Sequence, residues 1–142
     1  MYKIKEILQD LIEDKGLTPA EISRESGIPR TSIHSWLESG RTPSLHGFEQ
    51  LCNYFEVSCE YLLGRESVNI FPKNRKPLNF FDTYNKILID RNVNKYHLSK
   101  QTGIHSTHLY RWKNKHYSPS IHNVIKLADY FGITVDEMLG ME

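Results

Sequence analysis

The side chains in this chain best suited to chemistry are its histidines and a set of hydroxyl groups spaced along short helices. His105 and His108 stand three apart, with His97 and His116 close by; two imidazoles at that spacing on one helix can share a zinc ion. Structural zinc sites usually offer four ligands including cysteines, and the two cysteines lie far off at Cys52 and Cys59, so no metal is expected. His46 and His122 each follow a serine by two residues, a place where a helix N-terminus and an imidazole suit a phosphate, or where a histidine simply meets solvent. The catalytic signatures G-x-x-x-x-G-K, G-x-S-x-G, H-E-x-x-H and C-x-x-C are absent, so neither an enzyme nor a cofactor is expected.

The elements that carry these side chains occur twice. Leu17–Pro43 reads as two short helices around a tight turn at Gly27, and moved forward by 76 positions it meets Val93–Pro119 with Ser23/Ser99, Gly27/Gly103, Ile28/Ile104, Thr31/Thr107, Trp36/Trp112 and Pro43/Pro119 in register. The same register pairs Tyr54/Tyr130, Phe55/Phe131, Leu63/Leu139 and Gly64/Gly140. A single long offset marks a duplicated globular unit rather than a solenoid, whose periods run roughly 20–50 residues. The expected organisation is therefore a first domain over 1–64, a linker over 65–79 and a second domain over 80–142. The linker, RESVNIFPKNRKPLN, has two prolines, the basic cluster Lys73-Asn74-Arg75-Lys76 and no helical period.

Within the first unit, Ile4, Ile7, Leu8, Leu11 and Ile12 recur at helical spacing and predict an amphipathic helix over Lys3–Lys15 ended by Gly16. Thr18 with Glu21 forms a capping box that opens a second helix, and Gly27 suits the left-handed position that closes it. A third helix starts near Pro29 and runs to about Ser39. With Ile33 set inward at 100° per residue, Trp36 and Leu37 lean inward, Thr31, Ser35 and Glu38 point outward, and Ser32 and His34 fall at the margins. Ser44 and Ser58 cap a fourth and a fifth helix. The second unit repeats the scheme, with Asn94 as cap, Gly103 as turn, His105–Asn114 as third helix, and Ser120 and Thr134 as later caps. No segment alternates as a strand, so the fold class is all-α.

Each unit is near the lower limit of independently folding size. No apolar run approaches the roughly 20 residues of a membrane span, and Met1–Leu11 alternates charge with apolar residues instead of building a signal peptide, so the expected place is the cytoplasm without a membrane partner. Cys52 and Cys59 correspond to Ala128 and Val135 in the other copy, the pattern of reduced, partly buried thiols at packing positions. Net charge is +1 overall but uneven: residues 1–64 hold six basic against ten acidic side chains, 65–79 four against one, and 80–142 eight against six. A polyanionic partner would favour the linker and the second unit.

Five short helices with the pattern G-I-x-x-x-x-[IL]-x-x-W followed seven residues later by P-S, and the endings NYFEVSCEYLLG and DYFGITVDEMLG, resemble the phage-repressor (Cro/CI-type, XRE) helix-turn-helix family in two tandem copies, over Ile4–Gly64 and Phe80–Gly140. The resemblance implies that the third helix of each copy enters a DNA major groove, through Arg30, Thr31, Ser32, His34 and Ser35 in the first and Ser106, Thr107, His108, Tyr110 and Arg111 in the second. It also implies DNA contacts from the basic residues Arg41, Lys95, Lys113 and Lys115. Two departures stand out: Pro19 and Lys95 replace the glutamine common at the start of the family's second helix, and the frequent Trp-Glu-x-Gly becomes Trp36-Leu37-Glu38-Ser39-Gly40 and Trp112-Lys113-Asn114-Lys115-His116.

Arg111 shares the outward angle of Ser35, and arginine is the side chain best matched to guanine. Glu38, on the same face of the first copy, would be repelled by phosphate unless it accepts from cytosine or points away. Trp36 and Trp112 belong with Ile33 and Leu109 on the inward face and are expected to be core. The resulting expectation is a transcriptional regulator, a repressor that holds double-stranded DNA with two recognition helices in one chain. Alternatively, only the second unit binds DNA and the acidic first unit contacts another protein or forms a homo-oligomer, as in an antitoxin-like regulator.

Overall fold

The computed structural model describes residues 3–71, 79–113 and 118–140, and the chain divides into two compact units, Met1–Pro72 and Lys73–Glu142. Among the described residues all regular structure is helical. The first unit holds α1 (Ile4–Lys15), α2 (Pro19–Ser26), α3 (Arg30–Glu38), α4 (Leu45–Phe55) and α5 (Cys59–Leu62); the second holds α6 (Phe80–Asp90), α7 (Lys95–Thr102), α8 (Ser106–Lys113), α9 (Ile121–Phe131) and α10 (Val135–Met138). None of these helices is long and apolar enough to cross a membrane.

The helix boundaries follow from side chains that satisfy orphan backbone groups. Thr18 and Thr134 each accept from the third helical N–H, of Glu21 and Glu137, whose carboxylates reach back to complete capping boxes. Ser44, Ser58 and Ser120 cap α4, α5 and α9 in the same way. Gly16 ends α1 in the left-handed region at φ 62, and its register mate Asn92, just past α6, takes φ 50, which asparagine tolerates better than most residues. Gly132 ends α9 at φ 70, but its mate Glu56 ends α4 at φ 53, a conformation that a residue with a Cβ adopts at a cost.

Each unit buries one core. Ile22/Leu98, Ile28/Ile104, Ile33/Leu109, Trp36/Trp112, Leu51/Leu127, Cys52/Ala128, Cys59/Val135 and Leu63/Leu139 are buried in both copies, and the two cysteines are free thiols. The cores differ most in where their rings lie: Leu8 and Phe48 in the first unit become Tyr84 and Val124 in the second, and Ile4 becomes Phe80, so aromatic rings gather on the first helix of the second unit. Phe80, Tyr84 and Trp112 then meet as rings, with Phe80 stacked on Tyr84 at 5.4 Å and Trp112 edge-on to Tyr84 at 5.9 Å. The Tyr84 hydroxyl donates to the Leu109 carbonyl at 3.1 Å, and burial pushes this phenol well above its usual range.

The interval expected as a linker divides. Asn69 ties the chain back onto the first unit, accepting from the Ser58 N–H at 2.8 Å and donating to the Glu56 carbonyl at 3.0 Å. Arg65 bonds Glu60 at 2.9 Å. Asn79 already belongs to the second unit, where its N–H donates to the Leu139 carbonyl at 2.8 Å, as Lys3 donates to Leu63 at 3.3 Å in the first. The basic cluster Lys73–Lys76 lies outside the described residues.

Candidate nucleic-acid interface

A recognition surface needs a helix held at a fixed angle with its polar face outward, and the repeated turn does the holding. Gly27 and Gly103 adopt φ 80 and φ 74 and donate to the carbonyls of Ser23 and Ser99. The Ser23 and Ser99 hydroxyls in turn donate across the turn to the carbonyls of Ile28 and Ile104, both at 2.6 Å. Ser26 and Thr102 complete the lock: each hydroxyl donates to a carbonyl one turn back and accepts from the N–H of Ile28 or Ile104. With both isoleucines buried, four hydrogen bonds and one apolar anchor set the angle between the second and third helices of each unit. The repeated serine was visible as an identity between copies; that it bridges the turn was not.

On α3, Ile33 and Trp36 are buried, Arg30, Thr31 and Glu38 are exposed, and Ser32, His34 and Ser35 are half-buried. Glu38 stands beside His34, with Nδ1 to Oε1 at 3.4 Å, so the outward carboxylate has a neighbour on its own helix. Arg41 is exposed just beyond. On α8, Ser106, Thr107, Tyr110 and Arg111 are exposed, while Leu109 and Trp112 are buried. His108 turns toward the core and stacks on Trp112 at 6.0 Å and 19° between planes. His105 precedes α8, and its Nδ1 accepts from the Thr107 N–H at 3.1 Å, so the helix begins one residue later than the spacing predicts, with the imidazole as its cap. That role engages His105 at a helix end, and the described residues bring no three His, Cys, Asp or Glu side chains together as a metal site.

Lys95 opens α7 and places its ammonium 4.8 Å from the centre of the Tyr110 ring on α8, a contact that sequence spacing alone does not reveal. Asn94 fixes that first turn, its Oδ1 accepting from the N–H groups of Tyr96 and His97 at 2.9 and 3.2 Å. Lys113 lies within α8, and Lys115 lies outside the described residues.

Residues 85–142 match the Cro/C1-type HTH DNA-binding domain family, and residues 8–62 match the helix-turn-helix family. The chain is a tandem of Cro/C1-type helix-turn-helix domains. No curated protein and no solved structure matches the chain. In these Cro/C1-type domains the exposed face of α3 carries Arg30 with Glu38, whereas that of α8 carries Arg111 and no carboxylate. The second domain thus presents the more favourable charge to a phosphate backbone.

Proposed function

We propose that this DNA-binding protein is a sequence-specific transcriptional regulator, a repressor that occludes a promoter by placing α3 and α8 of one chain in two major grooves. The observation that carries the proposal is the repetition itself: the same turn lock, in register, sets an outward polar third helix in both units. The residues assigned to DNA are Arg30, Thr31, Ser35 and Arg41 in the first unit and Thr107, Tyr110 and Arg111 in the second, with Ser32, His34, Lys95, Ser106, His108, Lys113 and Lys115 beside them. Such a regulator would act in the cytoplasm.

The reach is consistent with one chain on two adjacent sites. Because Asn69 is tied to the first unit, the connection runs from Asn69 to Asn79, which spans at most about 33–36 Å instead of about 50 Å for a free fifteen-residue linker. Adjacent major-groove sites lie about 34–36 Å apart, and each unit adds its own radius of gyration, about 11 Å at this size. Since Thr31/Thr107 agree while Ser35/Arg111 and His34/Tyr110 differ, the two half-sites would be related but unequal.

A second reading is favoured by charge: the first unit has ten acidic against six basic side chains and keeps Glu38 on its outward face. There the second unit holds DNA and the first contacts a protein or a second copy of the chain. One experiment separates the readings. Sites are selected from a random DNA pool with the full chain, then footprinted with the chain, with Thr31→Asp and with Thr107→Asp, and stoichiometry is read by native mass. Two adjacent protected grooves per chain, each lost with its own substitution, support the first reading. A footprint untouched by Thr31→Asp, or two chains at every site, supports the second.

A further inference from the structure

The outward face of α8 contains one large apolar surface, the Tyr110 ring, 57% exposed. Apolar surface in water is unfavourable, and a helix that approaches base edges meets one apolar group there, the 5-methyl of thymine. The ring is also held in place. Lys95 sits with its ammonium 4.8 Å from the ring centre, and the backbone under Lys95 is fixed by the double cap of Asn94. The α7–α8 angle is set by the Ser99 to Ile104 bond. In the first unit the same two positions are Pro19 and His34, and His34 pairs along its own helix with Glu38.

Resting on the DNA-binding reading, we infer that Tyr110 reads a 5-methylpyrimidine in the half-site of the second unit, and that Lys95 is a positioning residue for that contact rather than a phosphate clamp. An ammonium over the ring restricts its rotation before DNA arrives, so less side-chain freedom is lost on binding. A lysine given over to phosphate would strengthen every sequence alike and steepen the salt dependence.

The test uses the full chain and a duplex selected by it, with each thymine of the second half-site replaced in turn by deoxyuridine, which removes only the methyl. One replacement should weaken binding about fourfold, the equivalent of about 0.8 kcal/mol for one buried methyl-sized group. That penalty should vanish in Tyr110→Ala, persist in Tyr110→Phe, fall toward onefold in Lys95→Met and return in Lys95→Arg. If every deoxyuridine duplex binds as tightly as its parent while selection remains strong, DNA binding stands and the methyl contact is overturned. If Lys95→Met weakens all duplexes equally, lowers the slope of log affinity against log salt by about one and leaves the methyl penalty intact, the positioning role is overturned. If the full chain selects no sequence, the DNA-binding reading falls and this inference with it.

Discussion

Gly103 is the residue on which the second unit's helix-turn-helix angle most directly depends, and its replacement has a cost that can be apportioned. Its φ is +74, and an added Cβ would meet nothing within 4 Å. The penalty is therefore conformational and contains no collision. Gly103→Ala should cost about 1–2 kcal/mol, Gly103→Asn less because asparagine tolerates the left-handed region, as Asn92 does at φ 50 in the same unit, and Gly103→Val most, up to about 3 kcal/mol. A domain of this size has roughly 3–9 kcal/mol of stability at 0.05–0.15 kcal/mol per residue, so the valine variant is partly unfolded under mild denaturant. The chain has two tryptophans, one in each unit, so in a Trp36→Phe background urea unfolding followed by fluorescence reports Trp112 alone. The order Asn, Ala, Val in falling midpoint is the expected result. Equal losses for asparagine and valine, or an unchanged midpoint for valine, would refute the argument from backbone conformation.

Three further outcomes are expected. Glu56→Gly should stabilise the first unit by about 0.5–1 kcal/mol, since it relieves a left-handed glutamate at φ 53; the unfolding midpoint followed by Trp36 should rise. Arg111→Ala should cost about 1–3 kcal/mol of DNA affinity and relax preference at one base pair; a uniform loss across sequences in a repeated selection would instead assign Arg111 to phosphate. Burial raises the Tyr84 phenol above its unfolded value of 10.0, so its contribution to stability is fully present below pH 10 and is lost as pH climbs through the folded value. Absorbance of ionised tyrosine should show Tyr84 titrating together with alkaline unfolding, a step that Tyr84→Phe removes. Tyr54, pushed up to about 12 by burial and by its hydrogen bond to Glu25, should titrate late in the same experiment without that unfolding step.

Much of this protein is local in origin, and what is local can be read along the chain. Thr18, Ser44, Ser58, Asn94, Ser120 and Thr134 cap helices through bonds two or three residues away, and Gly27 and Gly103 take a conformation that their own lack of a Cβ permits. Helical periodicity then separates Ile33 and Trp36 from Thr31, because which side of a helix a residue occupies depends on angle alone. The 76-residue register made each of these local readings twice, which is why the helix-turn-helix resemblance was legible at all.

Tertiary structure decided what depends on residues far apart in sequence. Asn69 reaches back to Glu56 and Ser58, so the first unit extends into an interval whose composition reads as linker; no periodicity marks a polar side chain that bonds a distant backbone. Lys95 and Tyr110 are fifteen positions apart on different helices, and they meet because the turn lock fixes the angle between α7 and α8. Capping and amphipathicity are properties of a segment, whereas a cation over a ring is a property of two segments held at one angle, and that angle exists only once the core has packed.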